Sequence, residues 1–147
     1  MKRRSLKKYN KGFSLVELIV VVLIMAIIAV ALAPQVMRWV NESRVSADAY
    51  TYDTAVAAAQ DALSDEGAWK KCESISFTIT INGNTSGDTF IMDNTAPEEF
   101  ADEFYKHCGG RDAVSNIKLK QKGYEAIITV DKGVVVRTKA PSKKAGQ

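Results

Sequence analysis

The stretch from Phe13 to Ala33 limits this chain more than any other part of it. It is 21 residues long and holds one charge, Glu17. A helix of about 20 residues crosses a hydrocarbon layer of about 30 Å. A helix that is apolar on every side must be buried, either by lipid or by other helices. Glu17 then raises a question, because an ionised carboxylate at mid-bilayer costs about 2.5–3.5 kcal/mol on insertion scales. Ahead of the run stand Lys2, Arg3, Arg4, Lys7, Lys8 and Lys11, with no acid among them. A positive flank marks the cytoplasmic side, so the remainder is expected outside. The whole chain carries +3, and without those six cations the rest carries a net −3. The basic balance therefore belongs to the leader, and a nucleic-acid partner is not indicated.

Two other kinds of protein share a basic start and an apolar run. An ordinary secretory signal would end at Ala31-Leu32-Ala33, a small-x-small site. Its apolar core is normally about 7–15 residues, shorter than this one. The residue after that site is Pro34, whose ring and missing N–H make a poor scissile partner. A plain single-pass anchor for an extracellular binding domain explains the length but leaves Glu17 without a role.

The run "KGFSLVELIVVVLIMAIIAV" resembles the class III signal of type IV pilins and pseudopilins. In that family a short basic leader ends in glycine, and a prepilin peptidase cuts before a phenylalanine whose new amine is then methylated. A glutamate follows four residues on. The resemblance implies cleavage between Gly12 and Phe13, N-methylation of Phe13, and an assembly role for Glu17. It covers residues 11–34 in motif and reaches about residue 65 in helix pattern.

Physical chemistry supports that role. Cleavage would create an α-amine with an unperturbed pKa of about 7.7–8.0, largely cationic at neutral pH. Glu17 is four residues from it on a helix and close to the positive helix N-terminus. In a dry filament core, mutual neutralisation with such an amine on a neighbouring subunit is the inexpensive arrangement for both charges. Subunits at the wrong axial offset would leave Glu17 unpaired, which makes it a registry device. The bland alternative is a carboxylate snorkelling to the interface. Pro34 removes the bond to the Val30 carbonyl and clashes with it, so a kink or opening over residues 30–34 is expected. Family members often carry a glycine before that proline; here none occurs from Phe13 to Glu66, and Ala26 lies where one would be sought.

Beyond Pro34, Val45, Ala49, Tyr52, Val56, Ala59 and Leu63 recur at helical spacing as one apolar stripe, with Asp48, Asp53 and Gln60 off it. Gly67 in "DEGAW" is expected to end this helix near Glu66. A helix from Phe13 to there would span roughly 80 Å. Ile75, Phe77, Ile79 and Ile81 alternate with Ser and Thr as a strand, "NGNTSGD" reads as a turn, and "TFIMD" as a returning strand. "APEEFADEFYKHCGG" reads as a short helix, with Pro97 near its start and Gly109 at its end. Two further strands are separated by turns at Lys122-Gly123 and Lys132-Gly133. The expected fold is α+β, a long N-terminal helix packed on an antiparallel sheet of about four strands. The divisions are a basic leader over 1–12, a membrane or filament-core helix over 13–34, and an amphipathic helix over 35–66. A β-rich head over 67–139 and a disordered basic tail over 140–147 follow.

Cys72 and Cys108 both lie past the apolar segment and can pair if exported. Closing a loop of about 37 residues would stabilise by roughly 4 kcal/mol in the chain-entropy model. The lone His107 stands beside Cys108, but adjacent helix positions do not face each other, so no nucleophilic pair is indicated. Asp88, Asp93 and Asn94 are too few and too loosely spaced for a calcium loop. Lys143 and Lys144 lack interleaved aromatics; Trp39 and Trp69 are elsewhere. Residues 41–117 hold 14 acidic and five basic side chains, residues 118–147 two and eight. Such a division would let neighbouring heads meet by opposite charge. No catalytic residue, metal site or cofactor is expected. The resemblance implies a structural filament subunit, made as a single-pass precursor of the bacterial cytoplasmic membrane with a cytoplasmic N-terminus. Its partners would be copies of itself and other pilins, prepilin peptidase and an inner-membrane assembly platform. The filament would be a surface pilus, or a pseudopilus for type II secretion or DNA uptake.

Overall fold

A computed structural model describes residues 12–83 and 89–144. The leader through Lys11 and most of the "NGNTSGD" turn lie outside these residues. Helix α1 is Leu15–Ala62 and carries Pro34 inside it without interruption, so the opening expected at residues 30–34 is absent from the single chain. The chain divides into two compact units at Val40 and Asn41. In the first unit, every described side chain is exposed.

The second unit is built around an antiparallel sheet of order β2-β1-β3-β4. Strand β1 is Ser76–Asn82, β2 is Phe90–Met92, β3 is Tyr124–Asp131 and β4 is Val134–Lys143. The alternation in β1 points Phe77, Ile79 and Ile81 inward, all buried. Opposite them on β3 stand Val130, Ile128 and Ala126, also buried, in direct register. This one apolar face meets the second half of α1, through Tyr52, Ala55, Val56, Ala59 and Ala62. Small alanines let helix and sheet approach closely.

The stripe on α1 differs from the one expected. Tyr52, Val56 and Ala59 are buried as expected and Leu63 packs against the core, but Val45 and Ala49 are exposed, and Asp48, Ala55, Ala58 and Ala62 are buried beside the stripe. The inward face is wider than the stripe and starts at Asp48 despite its charge. The helix also ends earlier. Asp65 adopts extended backbone and its carboxylate accepts the Ala68 N–H at 3.0 Å, which starts α2, Glu66–Cys72. Gly67 is therefore inside a second helix, where a Cβ would lie 3.0 Å from the capping oxygen of Asp65.

Helix α3, Glu98–His107, begins after Pro97, as expected, and closes with Gly109 at φ 90°. Phe100 and Phe104 from α3 fill the core, with the Phe100 ring 4.9 Å from Phe77 and the Phe104 ring 5.6 Å from Phe90. A short turn of helix, α4, Arg111–Val114, was not legible in the sequence pattern. Lys132 and Gly133, both at positive φ, form the two-residue turn between β3 and β4, the type that matches strand twist. The expected disordered tail is corrected in part. Strand β4 continues to Lys143, pairing Ser142 with Glu125 and Lys143 with Tyr124, and the Lys144 N–H donates to the Gly123 carbonyl at 2.8 Å. Backbone pairing along an existing edge outweighs the tail's lack of apolar periodicity.

Candidate processing and assembly site

Gly12, Phe13 and Ser14 lie ahead of the first helical residue, Leu15, in irregular backbone. Phe13 is 92% exposed. Among the described residues no atom beyond its chain neighbours stands within 4 Å of where a Cβ on Gly12 would be, so none of them demands a glycine there. The Ser14 N–H donates to Glu17 Oε2 at 2.9 Å, and the Leu18 N–H to the Ser14 carbonyl at 3.2 Å. Ser14 is the N-cap and Glu17 the third helical residue, the spacing of a capping box. The local signal for it is the Ser-x-x-Glu spacing of "SLVE". Glu17 thus stabilises one of the orphan donors of its own helix before any neighbour arrives. Phe13, Glu17, Leu18 and Val21 line a shallow depression of about 220 Å³ at this end. Pro34 is exposed, 17 positions along the same helix from Glu17.

In the second unit the unforeseen residue is Asp48, fully buried. Its two carboxylate oxygens accept the backbone N–H groups of Lys120 and of Gln121, the latter at 3.2 Å. The loop they belong to is held from its other side by β1. The Leu119 N–H donates to the Asn82 carbonyl at 3.1 Å and the Gly83 N–H to the Tyr124 carbonyl at 2.8 Å. Asp48 ties α1 to the sheet through that loop and has no chemistry to perform.

The expected bridge between Cys72 and Cys108 is not made; both are free thiols. Lys71, next to Cys72, pairs with Glu99 in the first turn of α3, whereas Cys108 caps the other end of that helix. Nine helical residues span about 13 Å, about twice the reach of a disulfide. Burial raises both thiols, and holds Cys108 up at about 11. No cation lowers Cys108, so it is protonated at neutral pH and is no nucleophile. His107 Nε2 lies 4.0 Å from a Glu103 oxygen, near the end of α3, where a cation suits the helix dipole. Asp93 accepts the Thr95 N–H at 3.0 Å in a local turn, and Asp88 lies outside the described residues. Among the described residues no cluster of three His, Cys, Asp or Glu side chains could hold a metal.

Residues 7–33 match the family model for the prokaryotic N-terminal methylation motif. No curated protein and no solved structure matches the chain. The matched segment contains Gly12, Phe13, Ser14 and Glu17 and leads along α1 toward an α+β head. The N-terminal segment thus carries the prokaryotic methylation motif, the signal that marks type IV pilins and pseudopilins.

Proposed function

We propose that this chain is a structural subunit of a type IV pilus-like filament. Prepilin peptidase cleaves it between Gly12 and Phe13, Phe13 is N-methylated, and the mature subunits pack through α1. In the packed state Glu17 pairs with the Phe13 amine of a neighbour. The precursor spans the cytoplasmic membrane once, with its leader inside; the mature form stands in a filament beyond it. Its partners are copies of itself, other pilins, the peptidase and an inner-membrane platform.

One observation carries this reading. The first 26 helical residues of α1, Leu15–Val40, are exposed on every side, and from Leu15 to Ala33 they are apolar but for Glu17 near the start. A helix of that kind is stable only when lipid or other helices cover it. The irregular backbone at Gly12–Ser14 suits a protease, which binds extended chain. The glycine, which no described residue of the chain requires, suits an enzyme pocket that closes on the backbone.

N-terminal sequencing and mass of the mature protein test the processing step. The expected result is a chain beginning at a methylated Phe13; an intact Met1 supports a plain anchor, and a chain beginning at Pro34 supports ordinary secretion. Microscopy of sheared surface fibres, with this chain identified in them, tests the assembly.

A further inference from the structure

The charges along α1 bound a segment different from the apolar run itself. From Leu18 to Met37 there are 20 residues without a charge, with Glu17 before them and Arg38 and Trp39 after. Glu17 and Trp39 are 22 residues apart on one uninterrupted helix, or about 33 Å. The hydrocarbon layer is about 30 Å thick. Tryptophan favours the headgroup level, with its ring against the acyl boundary and its N–H in water, and arginine reaches the same level with its guanidinium. The Trp39 side chain is 58% exposed and Arg38 is exposed beside it.

We propose that Arg38 and Trp39 form an anchor for the outer headgroup layer, which places Glu17 at the inner headgroup layer in the waiting subunit. This inference rests on the membrane-spanning precursor described above. A bilayer centred on Phe13–Ala33 would instead sink Glu17 into hydrocarbon and lift Arg38 and Trp39 clear of the outer leaflet. The charge-bounded placement avoids both penalties. It also fits the local geometry, since Glu17 already accepts the Ser14 N–H and has water for its remaining lone pairs. The carboxylate of a subunit in the membrane is then wet and self-capped. It loses water only when the subunit is drawn into a filament, where the amine of a neighbour replaces the solvent. Position 28, midway between 17 and 39, lies at the centre of the bilayer.

Two depth measurements on the full chain in phosphatidylethanolamine–phosphatidylglycerol vesicles test this. With Trp69→Phe, Trp39 is the only fluorescent indole, and lipids brominated near the headgroup should quench it at least twofold more than lipids brominated near the chain ends. With Cys72→Ser and Cys108→Ser, a nitroxide is attached through Val16→Cys or Ile28→Cys. The first label should relax with a water-soluble nickel chelate and the second with oxygen alone. Stronger quenching of Trp39 by deep bromines, or an oxygen response at 16 equal to that at 28, overturns the placement. Fibre formation by the unaltered chain is scored separately. Fibres with residue 16 deep would end this inference and leave the filament reading intact; the expected depths without fibres would do the reverse.

Discussion

Glu17 and Asp48 are the two carboxylates on α1 whose surroundings decide their roles. Glu17 is exposed and caps its own first turn, so Glu17→Ala should leave cleavage intact, lower helix stability by about 1 kcal/mol through the lost cap, and sharply reduce filament yield. Normal fibre yield from that variant, counted by microscopy against processed protein on a gel, would rule out the registry role. Asp48 is buried and satisfied by two backbone donors. Asp48→Ala strands both donors and should destabilise the head by about 2–4 kcal/mol, with Asp48→Asn losing about half of that, read by urea unfolding in detergent. Cys108 supplies a pH test. Its ordinary value near 9 is raised to about 11 in the folded chain by burial. Folding therefore holds that proton more tightly, and its contribution is full below pH 9 and lost as pH rises through 11. Wild type should lose more stability between pH 9 and 11 than Cys108→Ser does.

At the scale of elements, strands were the easier part to read. Period-two alternation in β1 and the paired Lys-Gly turn before β4 are local signals, and the register of β1 on β3 buries the residues that alternation selected. Helical spacing finds Tyr52, Val56 and Ala59 on the inward face of α1 but not Asp48, whose charge argues for an outward side chain. The donors that make Asp48 an inward one come from residues 72 and 73 positions away. Long-range satisfaction of that kind leaves no trace in helical spacing. The end of α1 was missed because "DEG" serves two meanings: Asp65 as a cap that opens α2, or Gly67 as a stop. The cap at Ser14 is local, since its spacing to Glu17 is that of a capping box. The thiol pairing failed for the opposite reason, because nothing in Cys count or spacing tells which end of α3 each cysteine reaches. The loop on Asp48 also explains Gly83, where a Cβ would lie 1.9 Å from the Gln121 carbonyl oxygen. Gly83→Ala must push that loop away and should cost about 3 kcal/mol or more by the same unfolding assay.

As a whole molecule the chain joins an apolar helical segment to a head that carries its own core. The opposed charge of residues 41–117 and 118–147 is partly used within one head. Arg137 on β4 meets Asp53 on α1 at 2.8 Å and lies over the Tyr52 ring at 5.9 Å. Lys139 meets Glu125 at 2.7 Å, a half-buried pair inside residues 118–147 that joins β4 to β3. The exposed Arg137–Asp53 pair contributes about 0–1 kcal/mol, so it aligns β4 with α1 more than it holds it there. The stronger tie is the buried carboxylate of Asp48. In the filament proposed above, tension would run along the helical spine. Slipping the sheet along the second half of α1 would tear the buried Asp48 carboxylate from the two backbone donors that hold it. The fastening therefore has no soft intermediate position: it stays seated until the head as a whole gives way, which is the behaviour a rope needs from each of its strands.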